Sequence, residues 1–113
     1  MITETSRLDG LLTQMRAAFG ERRWEETIQL FGEMSKFRKL PRNVNVETTC
    51  LAARSMVNLN NRSGARKLLA SIAEIEHKKA APYTHLVQAY MDLRNYREVA
   101  KFCERIIALD EAA

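Results

Sequence analysis

Three features of the sequence predict an all-α chain made of three consecutive antiparallel helical hairpins. The composition is poor in turn formers, with Gly 4 and Pro 2, while residues that lose little on entering a helix (Ala, Leu, Glu, Lys, Arg, Met) do most of the filling. Apolar side chains recur at steps of three and four in six successive segments, each too short to bury its stripe alone. The segments also repeat. Tyr83 to Tyr90 moved back 34 residues fall on Thr49 to Met56, and the same step lays Val99 on Ala65, Cys103 on Leu69, Ile106 on Ile72 and Leu109 on Ile75. A further step of 38 lays Ala65 on Thr27, Leu69 on Phe31, Ile72 on Met34 and Ile75 on Phe37, with the four extra residues falling around Lys39, Leu40, Pro41 and Arg42.

The first helix is expected from about Leu8 to Phe19, with Ser6 as its N-cap, Asp9 as the capping-box acid, and Leu8, Leu11, Leu12, Met15 and Phe19 on its apolar face. The second, about Trp24 to Arg38, carries Trp24, Ile28, Leu30, Phe31, Met34 and Phe37; its cationic last turn suits the negative end of the helix dipole, and Pro41 makes the break. A third, about Val46 to Leu59, follows Asn43 or Asn45 as cap and ends at Asn60-Asn61, residues that tolerate the left-handed conformation. The fourth, Ser63 to about His77, sets Ala65, Leu68, Leu69, Ile72 and Ile75 against Arg66, Lys67, Glu74 and Lys78. Pro82 fits the first turn of a fifth helix, where its missing N–H costs nothing; that helix runs to about Leu93, and a sixth spans Tyr96 to Leu109.

A length of 113 residues leaves room for one domain, 1–113, and none for a second core. The net charge of +4 is unevenly spread: residues 35–67 hold eight basic side chains against Glu47 alone, so that stretch is +7 and the remainder −3. Such a region either steers an acidic partner or nucleic acid, or is a solvated helix face. Two cysteines far apart, Cys50 and Cys103, give neither a disulfide framework nor a zinc spacing. The opening residues lack a leader pattern and no window is apolar enough to span a bilayer, so a cytoplasmic, reducing location is expected, without membrane association.

The repeat resembles the tetratricopeptide family. In the last unit Tyr83, Leu86 and Tyr90 stand at that family's spacing, Asn95-Tyr96 closes the turn, and Val99, Phe102, Ile106, Leu109 and Asp110 follow in register. The middle unit keeps Ala53, Met56 and Ala65, and the first keeps Leu11, Ala18, Trp24 and Phe31. The match covers about residues 8–111, as repeats of roughly 8–40, 46–79 and 80–113. Departures are Met15 and Val87 in place of a small residue, and Thr27 and Val99 in place of Ala. The resemblance implies a short right-handed solenoid of stacked hairpins, a non-catalytic adaptor or scaffold whose concave groove takes a peptide or helix of another protein.

The resemblance places along the groove Leu12, Arg16 and Phe19, then Cys50, Arg54, Val57 and Asn58, then Thr84, Gln88 and Met91, with Asp9, Glu47 and Asp92 beside them. Arg16, Arg54 and Gln88 are equivalent and would form a polar ladder. The two arginines either offer charge to a ligand's carboxylates or lie over the core and pair with the chain's own Glu or Asp. The Lys and Asn positions used by members that bind acidic chaperone tails are occupied by Leu12, Arg16, Leu51, Ala81 and His85, so that specificity does not carry over.

No catalytic residue, metal site or cofactor is expected. His77 stands at a helix end where a cation favours the dipole, and His85 has no ligand-spaced partner. Gly10, Gly20, Gly32 and Gly64 are scattered and form no phosphate loop. Cys103 is in the core register and inert, whereas Cys50 faces the groove. Two alternatives stand beside the adaptor reading. Leu30-Phe31-Gly32-Glu33-Met34 and Leu40-Pro41-Arg42-Asn43 also look like the pentatricopeptide family, which reads single-stranded RNA one base per repeat. One helix cannot cover Phe102, Ile106 and Leu109 together, which predicts a homo-oligomer through the C-terminal hairpin or a downstream segment that covers them.

Overall fold

The computed structural model describes residues 4–112, so the opening residues 1–3 read above for a leader pattern, and Ala113, lie outside the described residues. Six helices follow one another: α1 Glu4–Gly20, α2 Trp24–Met34, α3 Arg42–Asn58, α4 Arg62–Ala73, α5 Ala80–Asp92 and α6 Tyr96–Ala112, with no strand among the described residues. Neighbours pair as three hairpins: α1 packs on α2, α3 on α4 and α5 on α6. None of these helices is long and apolar enough to cross a membrane.

The three hairpin turns share one geometry. Arg22, Asn60 and Arg94 all take the left-handed conformation, at φ 62°, 66° and 58°. In each case the next residue donates its N–H back over the turn: Arg23 to Ala18 O (2.8 Å), Asn61 to Met56 O (2.8 Å) and Asn95 to Tyr90 O (3.0 Å). This closure satisfies carbonyls that a helix end would otherwise leave bare. The following helix starts in the same way each time, with Thr27, Ala65 and Val99 donating to Arg23, Asn61 and Asn95. The turns therefore stand at the 38- and 34-residue steps found in the sequence. Asn tolerates this conformation, but for an arginine it costs about 1 kcal/mol. Replacing Arg22 and Arg94 together by Gly is expected to raise the urea midpoint, with a gain of about 1–2 kcal/mol over both sites.

Several boundaries differ from those expected. Ser6, expected as the N-cap, lies inside α1, which begins at Glu4. α2 stops at Met34 rather than Arg38, where the Ser35 hydroxyl donates to Gly32 O (2.7 Å) and the chain turns. α3 starts at Arg42, four residues early. Pro41 stands at its cap with ψ 144°, and the Pro41 carbonyl receives Asn45 N–H (2.9 Å), which places Asn43 and Asn45 within the helix. α4 is capped by Asn61, whose side chain accepts Gly64 N–H (3.0 Å), and ends at Ala73. Beyond it, the His77 N–H donates to the Tyr83 hydroxyl at 2.8 Å, so α5 holds this connector in place.

α3 is the central element, in contact with α1, α2, α4 and α5. It is accordingly buried almost all round, from Val46 through Thr48, Cys50, Ala52 and Ala53 to Ser55. Its buried hydroxyls are satisfied by its own backbone, Thr48 on Val44 O and Ser55 on Leu51 O, both at 2.9 Å. On one side Leu51 and Ala52 join Leu8, Leu12, Met15 and Met34. On the other, Val46, Cys50 and Ala53 join Leu69, Ile72, Tyr83, Leu86, Tyr90 and Phe102. The principal extents of 44 × 35 × 23 Å describe a slab about two helices thick.

Candidate functional site

The first helices of the hairpins lie side by side, α1 against α3 and α3 against α5. Two ion pairs cross these contacts. Arg16 on α1 forks onto Glu47 on α3, Nε to Oε2 and Nη2 to Oε1, both at 2.7 Å. Arg54 on α3 gives its Nε to Asp92 Oδ2 on α5, also at 2.7 Å. Hydrogen bonding from Arg16 holds the Glu47 carboxyl below its ordinary range, and the same contact raises Arg16. Both arginines of the expected ladder are thus engaged within the chain, and only its third member, Gln88, is exposed without such a partner.

The Arg54 guanidinium also lies 4.8 Å from the centre of the Phe19 ring, which in turn meets Trp24 edge-on at 5.4 Å. Phe19, Val57 and Met91 occupy equivalent places one residue before the hairpin turns' last helical position; Phe19 and Val57 are half-buried and Met91 is 47% exposed. Beside them Asn58 is exposed and donates to Arg54 O (2.9 Å), and exposed Thr84 turns its hydroxyl to Ala80 O (3.3 Å).

Two of the expected groove residues are not on the surface. Leu12 is buried among Leu8, Met15 and Leu51, and Cys50 is 1% exposed within the central core. The reason lies in the row they share with Thr84. Each first helix is covered at this row by the next one, so Leu12 lies in the α1–α3 contact and Cys50 in the α3–α5 contact, while α5 has no further first helix against it. The same geometry corrects the cysteines. Burial pushes the Cys50 thiol up to about 12, whereas Cys103, expected in the core, is half-buried because Phe102 fills the core at that turn of α6. A thiol reagent at neutral pH is expected to label Cys103 first and Cys50 at least about a hundredfold more slowly in the folded chain, the two rates converging in denaturant. Mass spectrometry of the labelled peptides reads this directly.

Both histidines play parts the sequence did not indicate. His77 is no helix-end cation: it is 8% exposed, edge-on to Tyr83 at 5.0 Å, and held below its ordinary pKa by burial and by Arg42 and Arg105. Its Nε2 has no partner. His85, absent from the expected groove set, is half-buried and set among Glu47, Arg16 and Arg54; burial lowers its pKa, with Glu47 opposing. Its alignment with Leu51, at a position that family members binding acidic tails use for ligand contact, was the signal for its placement. Among the described residues no three His, Cys, Asp or Glu come together as metal ligands.

What the face offers a ligand is therefore a strip of half-exposed apolar side chains (Phe19, Val57, Met91) between charged pairs that are already neutralised, widening at α5 into exposed Thr84 and Gln88. The chain matches no family model, no curated protein and no solved structure.

Proposed function

We propose that the chain is a non-catalytic interaction module of tetratricopeptide-like build, a right-handed stack of three hairpins that holds a helix or extended segment of another protein along α1, α3 and α5. The observation that carries this reading is the asymmetry of the stack. α3 packs closely on α5 and more lightly on α1, the first hairpin meeting α3 mainly through α2, whereas α2, α4 and α6 do not pack on one another to a comparable extent. A row of helices closer together on one side than on the other bends towards that side, which supports reading the α1–α3–α5 face as the hollow one. The apolar strip Phe19, Val57 and Met91 runs along it at the repeat spacing, a pattern suited to apolar anchors of a partner segment.

The internal pairing of Arg16 and Arg54 makes Gln88 and Met91 the better probes, since both are exposed and substitution leaves the core intact. Wild type and a Gln88→Glu, Met91→Asp variant are compared in affinity capture from the native cell, and the captured protein is then mapped by hydrogen exchange. Retention by wild type only, with protection confined to α1, α3 and α5, supports the groove. Equal retention, or protection on α2, α4 and α6, defeats it.

A further inference from the structure

A cavity of about 530 Å³ lies between the α4–α5 connector, with Ala80 at the start of α5, and the last two turns of α6. Its edges carry opposite charge: Lys78 and Lys79 on the connector, Asp110 and Glu111 on α6. Between them run Ile106, Ile107 and Leu109. Ile107 is 55% exposed, and among the described residues α6 makes its main backbone contact with α5. Among the described residues none of the four charged side chains forms an ion pair.

The order of charges decides what fits. An acidic segment laid in this groove would meet Asp110 and Glu111, and a basic one would meet Lys78 and Lys79. An occupant satisfying both edges must present apolar residues between a cationic and an anionic edge in the reverse order. A second copy related by a twofold axis running along the groove presents that arrangement, because that operation sets the same patch against itself with its two edges exchanged. We infer that this groove is an isologous contact between two copies of the chain. Lys78 and Lys79 of each face Asp110 and Glu111 of the other, and Ile106, Ile107 and Leu109 meet across the axis. None of the seven residues in this contact is among those assigned to the α1–α3–α5 face, so the two sets of variants are independent and either assignment can fail without the other.

Sedimentation velocity on the full chain, taken up to about 0.5 mM to reach weak association, should show a reversible dimer. A K78E/K79E variant places acids on both edges, and a D110K/E111K variant places cations on both. Each alone should weaken dimerisation about a hundredfold, since like charges brought face to face cost several kcal/mol. Mixed one to one they should form a heterodimer, because both edges then face opposite charge. Ile107→Asp should abolish the dimer while leaving the unfolding midpoint in place. The inference is overturned by a wild-type monomer over the whole range, by variants that fail to rescue one another, or by a dimer indifferent to Ile107→Asp. A wild-type monomer that retains a different protein through Ile107 likewise overturns it and reassigns the groove to that partner.

Discussion

Phe102→Ala should remove about 3–5 kcal/mol of stability, the range for truncating a buried aromatic to Ala, out of the roughly 5–15 kcal/mol that a domain of this size possesses. The ring is fully buried. It stacks on Tyr83 at 5.9 Å and on Tyr90 at 5.8 Å, each at 25°, and Lys101 and Arg105 lie over it at 4.8 and 5.6 Å. Truncation therefore leaves a cavity between two rings held by a different helix, which α5 cannot close without moving as a whole. The loss should also be local. In a stack each hairpin leans only on its neighbours, and Phe102 belongs to the cluster shared by the second and third hairpins, whereas Met15 and Met34 of the first belong to the other. Hydrogen exchange should accelerate most in residues 80–112 and least in 4–34. Equal acceleration throughout would mean that the six helices form one cooperative bundle, and the stacked reading would fall with it.

Helix number, order and hairpin pairing were legible because they follow from local rules. A 3.6-residue apolar stripe marks each helix, and the left-handed turn at Asn60 follows from a residue type that tolerates it. Arg22 and Arg94 show the limit of that rule: neither residue type announces a left-handed turn, and only the repeat steps from Asn60 point to them. What the sequence could not convey was coverage. Leu12 and Cys50 stand at positions where a single hairpin is open, and they are buried because the next hairpin closes over them. Phe102 and Cys103 are adjacent on α6, and which of them enters the core depends on the angle at which α6 meets α5. His77 looked like the end of a continuing helix until Tyr83, six residues on, captured its backbone. In each case the deciding contact is made by a residue whose position is set by packing rather than by sequence distance.

The two arginines of the α1–α3–α5 face carry that lesson to a measurable contrast. By sequence Arg16 and Arg54 are equivalent, yet their surroundings are not. Arg16 is 56% exposed, but the Glu47 carboxylate it forks onto is only 14% exposed, so Arg16→Ala leaves that carboxylate without its donor and should cost about 1–2 kcal/mol, part of it screened at high salt. Arg54 and Asp92 are 24% and 28% exposed, and the guanidinium also covers Phe19. Arg54→Ala leaves a half-buried carboxylate without its donor and an uncovered ring, which should cost about 2–3 kcal/mol and respond weakly to salt. In a double-mutant cycle with Asp92→Ala, a coupling of about 1–2 kcal/mol is expected. The remainder belongs to Phe19 and should vanish in a second cycle with Phe19→Ala. Arg54 ties the turn end of α1 to that of α5 across α3, so its loss should loosen both inter-hairpin contacts at once. Equal penalties for Arg16 and Arg54, or a coupling near zero, would show instead that the hairpins are held by their apolar contacts alone and that the charged pairs merely decorate the face.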